Sequence, residues 1–238
     1  MSTLITPETT VADLVSERHS RARVFEKYRI DFCCGGKMPL AQACAAKGIA
    51  VDEVLAELHK HDEATAREDD HTINWNDVPM GVLIDNIISQ HHDYLRVELP
   101  SLLEKAERVA TVHGATHPET AEVLAVYRSL KEELEEHMGK EEGVLFPWIR
   151  GLETGEGKAP FPGMKMDQPI ACMEHDHDQA AQALESLRTL TSDYTPPPEA
   201  CNTYRVLYSG LHQLERDLHN HVHKENNILF PKALKLAS

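Results

Sequence analysis

The chain has 238 residues, enough for one large domain or a medium domain with a small one. Its net charge of −15 argues against binding to nucleic acid or anionic lipid, since both need a basic face. No stretch approaches roughly 18 apolar residues, and the N-terminus lacks the regions of a secretory signal, so we expect neither a transmembrane helix nor export. Five cysteines without disulfide spacing suit a reducing compartment, and we predict a cytoplasmic protein.

Helical periodicity dominates the chain, which predicts an all-α fold. Residues 1–62 form short helical pieces and are predicted to be a small helical domain containing the adjacent Cys33 and Cys34. Residues 63–78 are charged and poorly periodic, as expected of a linker. Residues 79–238 are predicted to form a four-helix bundle. Its four long helices are expected at roughly 79–112, 117–151, 167–192 and 199–236.

Apolar residues recur every three or four positions along each long helix and mark the side that faces the bundle interior. Ile88 and Val144 belong to these inward stripes, and Pro100 should kink or split the first helix. Each stripe also contains one histidine, and on two helices a glutamate follows one turn later. These inward polar residues are His92, His137, Glu141, His177, His221 and Glu225. Off the stripes by about 100–200°, and not expected to be ligands, are His91, Glu142, His175, His219 and His223.

The two histidine–glutamate pairs belong to an internal repeat. "HMGKEEGVLFP" begins at His137 and "HVHKENNILFP" begins at His221, 84 residues later. His92 and the aspartate after it likewise recur at His177. A helical hairpin used twice would make the site pseudo-symmetric.

Six polar groups in one core need partners, because a buried carboxylate that loses its partner costs about 3–5 kcal/mol. One core histidine alone is better explained by a hydrogen bond, but six groups in register favour a metal. The stripes contain no thiolate, which disfavours structural zinc and iron–sulfur ligation, and the histidines exclude an all-oxygen calcium or magnesium cage. Two ions, each with two histidines and bridged by Glu141, Glu225 and a solvent oxygen, fit the di-iron or di-manganese plan of helix bundles. The sixth position of each ion stays open for a small molecule.

These residues carry a resemblance. The two repeated motifs resemble the iron-binding helices of the hemerythrin-like family. "YRIDFCCGGKMPL" near the N-terminus resembles the cysteine-pair domain that precedes this bundle in RIC (repair of iron centres) proteins. The resemblance covers essentially the whole chain. It implies a hemerythrin-like bundle whose ligands are the same six residues that the stripes select.

The resemblance also implies a function. Such proteins are cytoplasmic non-haem di-iron proteins of the nitrosative and oxidative stress response, with two irons and an oxo or hydroxo bridge. They are linked to repairing damaged iron–sulfur clusters by supplying iron, so proteins with damaged clusters would be the partners. The acidic residue before the third-helix histidine, usually glutamate in the family, is Asp176 here, a candidate to support the ligands.

Cys33 and Cys34 are adjacent and cannot form a C-x-x-C chelate. Beside a flexible glycine pair, their thiols could bind iron, react with nitric oxide or exchange with other thiols. The alternative is that both are small core residues. The remaining cysteines, interpreted as structural, are Cys44, Cys172 and Cys201.

Two other functions use the same six ligands. Nitric oxide reduction would join two molecules at the open iron positions and release nitrous oxide. A carrier or buffer would bind nitric oxide or O2, although oxygen carriage is the less favoured, because that arrangement usually has a fifth histidine and no cysteine domain.

Overall fold

The computed structural model describes residues 5–65 and 73–238 of the chain. Its regular elements there are all helices, and the pairing of Thr10 with Pro39 is an isolated bridge. The predicted all-α class is confirmed. Among the helices of these residues, none combines the length and the hydropathy of a membrane-spanning segment.

The chain divides into two compact units, Asp85–Leu218 and Met1–Ile84 together with His219–Ser238. The predicted boundaries at 62 and 79 do not coincide with this division, and they stay a prediction. Positions 66–72 of the predicted linker lie outside the described residues.

The larger unit contains most of the four-helix bundle predicted over residues 79–238, and positions 79–84 and 219–238 belong to the smaller unit. Each predicted long helix is present, and the first, second and fourth are each divided by a short π-helical turn. The α-helices of the four segments are α5 Met80–Ile87 and α6 Asp93–His113, α7 Glu119–Lys140 and α8 Phe146–Thr154, α9 Asp167–Leu190, and α10 Asn202–Lys224 and α11 Phe230–Ala237. The bundle core is formed by apolar residues of α6, α7, α9 and α10, including Leu99, Leu130, Leu184 and Leu211.

Three π turns interrupt these helices, at Ile88–His92, Glu141–Leu145 and Glu225–Leu229. In the second, the Phe146 N–H bonds the Glu141 carbonyl five residues back, and in the third Phe230 bonds Glu225 in the same way. A proline follows each phenylalanine. Because proline lacks an N–H and its ring crowds the carbonyl four residues back, a widened turn accommodates it where a regular α-turn does not.

The π turns change which residues face inward. Each adds about one residue to its turn, so the predicted stripe slips. Ile88 is only half-buried while Ile87 is buried, and Val144 is exposed while Leu145 and Phe146 are buried. The predicted inward positions of Ile88 and Val144 are therefore wrong. Pro100 does not split the first helix, since α6 continues through it, and the kink that was the alternative stays a prediction.

Within residues 5–65, the smaller unit has four short helices, α1 Val11–Glu17, α2 Ala22–Tyr28, α3 Leu40–Ala46 and α4 Val51–Thr65, with a 3-10 turn at His19–Arg21. Thr10 caps α1 by accepting the Asp13 N–H. The core contains Leu14, Phe25, Phe32 and Leu58, and Val222 from the C-terminal part of the chain packs into it. The buried Arg21 guanidinium lies 2.7 Å from Asp62 and ties the turn to α4.

Candidate metal centre

The larger unit contains four of the six predicted ligands. His92 ends the first π turn, His137 lies in the last turn of α7, Glu141 opens the second π turn and His177 lies on α9. Glu141 Oε2 lies 3.3 Å from His92 Nε2 and 3.4 Å from His137 Nε2. His177 Nε2 lies 3.2 Å from His137 Nε2. His137, Glu141 and His177 each offer a ligand atom within 4.8 Å of the others.

The smaller unit contains the other two predicted ligands. His221 lies in the last turn of α10, Glu225 opens the third π turn, and both are buried. His221 Nε2 lies 3.1 Å from Glu225 Oε1. The local arrangement repeats that of His137 and Glu141, with the histidine at the end of an α-helix and the glutamate four residues on.

Two of the histidines are oriented through their Nδ1 atoms. His92 Nδ1 bonds Glu142 Oε1 at 2.6 Å, and Arg96 holds the same oxygen at 2.5 Å. His137 Nδ1 lies 3.4 Å from Asp176 Oδ2, which Lys140 approaches to 3.3 Å. When a neutral imidazole donates its Nδ1–H to a carboxylate, its Nε2 carries the lone pair.

This donor set fits a cation. The Nε2 lone pairs of His92 and His137 are directed at a carboxylate oxygen of Glu141, which is 0% exposed. Lone pairs and a carboxylate repel one another in a buried site unless a proton or a metal ion lies between them. Imidazole with carboxylate is a donor set that iron accepts.

Glu142, Arg96 and Lys140 were missed by sequence reasoning. Its position one residue off the stripe predicts that Glu142 is not a ligand, and the same position lets it reach Nδ1 of His92 on the neighbouring helix. The available signal was the pair of adjacent glutamates in "KEEG" together with a basic residue four positions after His92.

Three of the histidines off the stripes are either exposed or hydrogen-bonded outside the proposed ligand set. His91 Nδ1 bonds Asp217 at 2.9 Å, and His175 is exposed. His223 is buried, which lowers its pKa to about 3, and its Nδ1 bonds the Phe32 carbonyl oxygen at 3.2 Å. A protonated His223 is thus excluded at neutral pH.

The adjacent cysteines differ in burial. Cys33 is buried and Cys34 is half-buried, with 3.9 Å between their sulfurs. The hydrogen bond to Cys34 and burial raise the pKa of the Cys33 thiol well above its ordinary value, so Cys33 is a thiol at neutral pH. Of the three cysteines interpreted as structural, Cys44 is buried, whereas Cys172 and Cys201 are exposed.

Comparison with known proteins agrees with this architecture. The family described as Hemerythrin HHE cation binding domain matches residues 83–233, and a Domain of Unknown function (DUF542) matches residues 7–62. Proteins named iron-sulfur cluster repair protein YtfE from Escherichia coli O81 (strain ED1a) and from Escherichia fergusonii are each 42% identical over 212 residues. The match covers 89% of this chain and 90% of each relative. The chain belongs to the hemerythrin HHE family, in the group that joins a DUF542 domain to the cation-binding domain and includes the YtfE proteins.

Proposed function

We propose that this protein is a cytoplasmic non-haem di-iron protein that repairs damaged iron–sulfur clusters by supplying iron. The observation that carries the proposal is the pair of oriented imidazoles, His92 and His137, directed at the buried Glu141 in a chain related to iron–sulfur cluster repair proteins. All five cysteines are free, which suits a reducing cytoplasm.

The ligands of the pair would be the six inward residues of the sequence stripes, all of which fall inside the hemerythrin match. Glu141 and Glu225 would bridge the two irons together with an oxo or hydroxo group, and each ion would take two histidines. The repetition of the histidine–glutamate spacing at His137 and at His221 supports this pseudo-symmetric assignment.

The ligand charges suit release of iron. Four neutral imidazoles and two carboxylates supply a charge of −2 for two cations of at least +2 each. Outside the ligands, Arg96 and Lys140 neutralise Glu142 and Asp176, so the carboxylates that orient the histidines add little net negative charge. Di-metal sites of helix bundles that have more carboxylate ligands should hold iron more tightly. When bound, the metal pair supplies iron as cargo for an acceptor and open positions for a small ligand.

Anaerobic iron transfer tests the proposal. The protein is loaded with ferrous iron and mixed with a purified [4Fe–4S] protein that has lost one iron to peroxide, in the presence of a thiol reductant that supplies the one electron needed to form [4Fe–4S]2+. Loss of the [3Fe–4S] paramagnetic signal beyond that caused by the reductant alone is followed. We expect rebuilding with loaded wild type and with the surface variant Glu135→Gln, but not with Glu225→Leu. Iron donation would be contradicted if the cluster is rebuilt no faster than with the same amount of free ferrous iron plus apoprotein.

Nitric oxide provides the competing outcome. The open positions of the proposed pair would admit nitric oxide or O2, and the reduced protein can be exposed to nitric oxide for a single turnover. Nitrous oxide formed at one per two irons would favour the reductase, and a stable nitrosyl would favour a buffer. An iron donor is expected to form neither nitrous oxide nor a stable nitrosyl and to rebuild the cluster.

A further inference from the structure

The cysteine loop, residues 31–36, and the third π turn, Glu225–Leu229, are bonded to each other within the smaller unit. Asn227 of the π turn donates both amide hydrogens from Nδ2, one to the Phe32 carbonyl oxygen at 3.2 Å and one to the Cys33 carbonyl oxygen at 3.0 Å. Asn227 stands two residues after Glu225. One side chain therefore joins the backbone of the cysteine loop to the turn that carries a proposed iron ligand.

His223 strengthens the same junction. Its Nδ1 donates to the Phe32 carbonyl oxygen at 3.2 Å, and its Nε2 accepts from Ser16 Oγ at 3.3 Å. The Phe32 ring packs edge-on against His223, with 5.7 Å between ring centroids. Phe32 and Cys33 also share a core with Val222. The loop is thus held through its backbone and through a buried aromatic side chain.

The loop is internally rigid. The Asp31 carboxylate accepts the backbone N–H groups of Cys33 at 2.9 Å, Cys34 at 3.0 Å and Gly35 at 2.7 Å. A side chain at Gly36 would place its Cβ 2.3 Å from the Phe32 carbonyl oxygen, so the backbone closes tightly there. Because the loop is bonded to itself, exposure of the Cys33 thiol requires the loop to part from Asn227.

The internal repeat shows that this anchor is separate from the metal-binding pattern. The positions of the first motif that correspond to His223 and Asn227 are Gly139 and Gly143. Apart from the neighbouring residues and the backbone of its own helix, a Cβ at either glycine would meet no atom of the described residues within 4 Å. The π turn at Glu141–Leu145 therefore forms without these two side chains. Their presence in the second motif serves the cysteine loop.

We propose that Asn227 is a positioning residue that couples the cysteine loop to the metal-bearing turn. Iron held by Glu225 favours the closed loop, in which Cys33 is buried, and loss of iron favours an open loop, in which the thiol is accessible. This inference rests on the proposed function in taking Glu225 as an iron ligand. Coupling between two sites is reciprocal, so the closed loop also slows the loss of iron.

Alkylation of the cysteines by iodoacetamide under argon tests the coupling. Wild type, Asn227→Ala and the control Asn202→Ala, an exposed asparagine on α10, are compared with and without ferrous ammonium sulfate. Modification of each cysteine is followed by peptide mass spectrometry. In wild type and the control, we expect iron to slow alkylation of Cys33 about fivefold or more, the lower end of typical coupling. In Asn227→Ala the ratio should approach one.

Further measurements make the result decisive. The exposed Cys172 and Cys201 lie outside the junction, so their alkylation rates should not depend on iron. Asn227→Asp keeps the size of the side chain and replaces the amide nitrogen, which carries both donated hydrogens, with an oxygen. Iron should therefore no longer slow alkylation of Cys33, as in Asn227→Ala. Iron content and the thermal melting of each variant show whether it is folded.

Two outcomes overturn the coupling alone: a wild type with two irons whose Cys33 reacts at the same rate as in apoprotein, or protection that persists in both Asn227 variants. Persistent protection would mean that iron shields the thiol directly. A chain that takes up no iron overturns the proposed function together with the coupling, so the two failures are distinguishable.

Discussion

The two copies of the repeated motif place the same histidine–glutamate pair in different surroundings. Around His137 and Glu141, the neighbours are charged: Glu142 bonds His92, and Lys140 faces Asp176. Around His221 and Glu225, Asn226 takes the position that Glu142 has in the first copy. His223 and Asn227 bond the backbone of the cysteine loop. The first copy is stabilised by ion pairs within the bundle, whereas the second is stabilised by docking of the N-terminal residues. A duplicated ligand pattern can thus keep its chemistry while its supports diverge.

The largest expected effect tests whether the ligand pattern is equivalent in both copies. Glu141→Leu and Glu225→Leu each remove a proposed bridge, and we expect iron to fall from two per chain to one or fewer in both, measured by elemental analysis after anaerobic loading. Glu135→Gln, on the surface of α7, should keep two. Two irons retained in either leucine variant would show that the copies are not equivalent.

The second prediction tests the dependence of the second copy on the N-terminal residues. In Asp62→Asn, the buried Arg21 keeps the carboxylate of Glu17 and its hydrogen bond to the Leu14 carbonyl oxygen but loses the carboxylate of position 62. We expect a loss of about 3 kcal/mol in the free energy of unfolding of the apoprotein, at the low end for a broken buried ion pair. Urea titration followed by circular dichroism measures it. Iron should be released faster than from the control Asp85→Asn, an exposed residue of the larger unit.

This loss should depend on pH. Burial is the largest single influence and acts to raise the pKa of Asp62, but the hydrogen bonds and positive charges of Arg21 and Arg18 together outweigh it, and the pKa is lowered. A carboxyl with a lowered pKa contributes its full stability above its unfolded value, about 4, and loses it as the pH falls through the folded value. The difference between wild type and Asp62→Asn should therefore be constant from pH 7 to 5 and shrink below pH 4. A difference that grows on acidification would contradict this origin.

The third prediction concerns the ion pairs of the first copy. Glu142→Gln weakens the bond that orients His92, and we expect iron to pass to a chelator about tenfold faster, since loss of a partner of a metal-bound histidine typically costs 10–100-fold in affinity. Stopped-flow chelation of the ferrous protein measures it, with Glu135→Gln as the control. Unchanged release would show that Arg96 and Glu142 form only a surface ion pair.

The smallest effects come from two substitutions that place alanine at the equivalent position of each copy. Gly143→Ala fills open space in a helical segment and should raise the free energy of unfolding of the apoprotein by about 0.5–1 kcal/mol. Asn227→Ala removes two hydrogen bonds and should lower it by about 1–2 kcal/mol. Parallel urea titrations measure both changes in the free energy of unfolding. Opposite signs would support the difference between the two copies, and equal signs would contradict it.

Sequence periodicity predicted the fold class and the inward residues well wherever the helix is regular. On α9 and α10, apolar residues at steps of three or four, such as Ile170, Leu184, Leu207 and Leu218, are buried, as the inward stripes of regular helices should be. It failed at Ile88 and Val144 because a fixed step of three or four assumes α-helical geometry, and a π turn changes the step. The proline after Phe146 was the local signal for that change.

The supports of the candidate site were harder to predict than its ligands. The bond from Glu142 to His92 joins two helices, and spacing along one helix says nothing about what its neighbour presents. The bond from Asn227 to Cys33 joins residues 194 apart in the chain. Such contacts depend on tertiary packing, which no local pattern encodes.

The π turns also set where the chain can lose a residue. A π turn is an α-helix with one additional residue, so deleting one residue from Glu141–Leu145 would restore regular helix and leave the residues after it facing nearly as they do now. Phe146 and Trp148 would keep the orientations in which they are buried. A scan of single-codon deletions should therefore find the positions of these turns that are not proposed ligands more tolerant than those of the regular α9, where one deletion turns everything after it by about 100°.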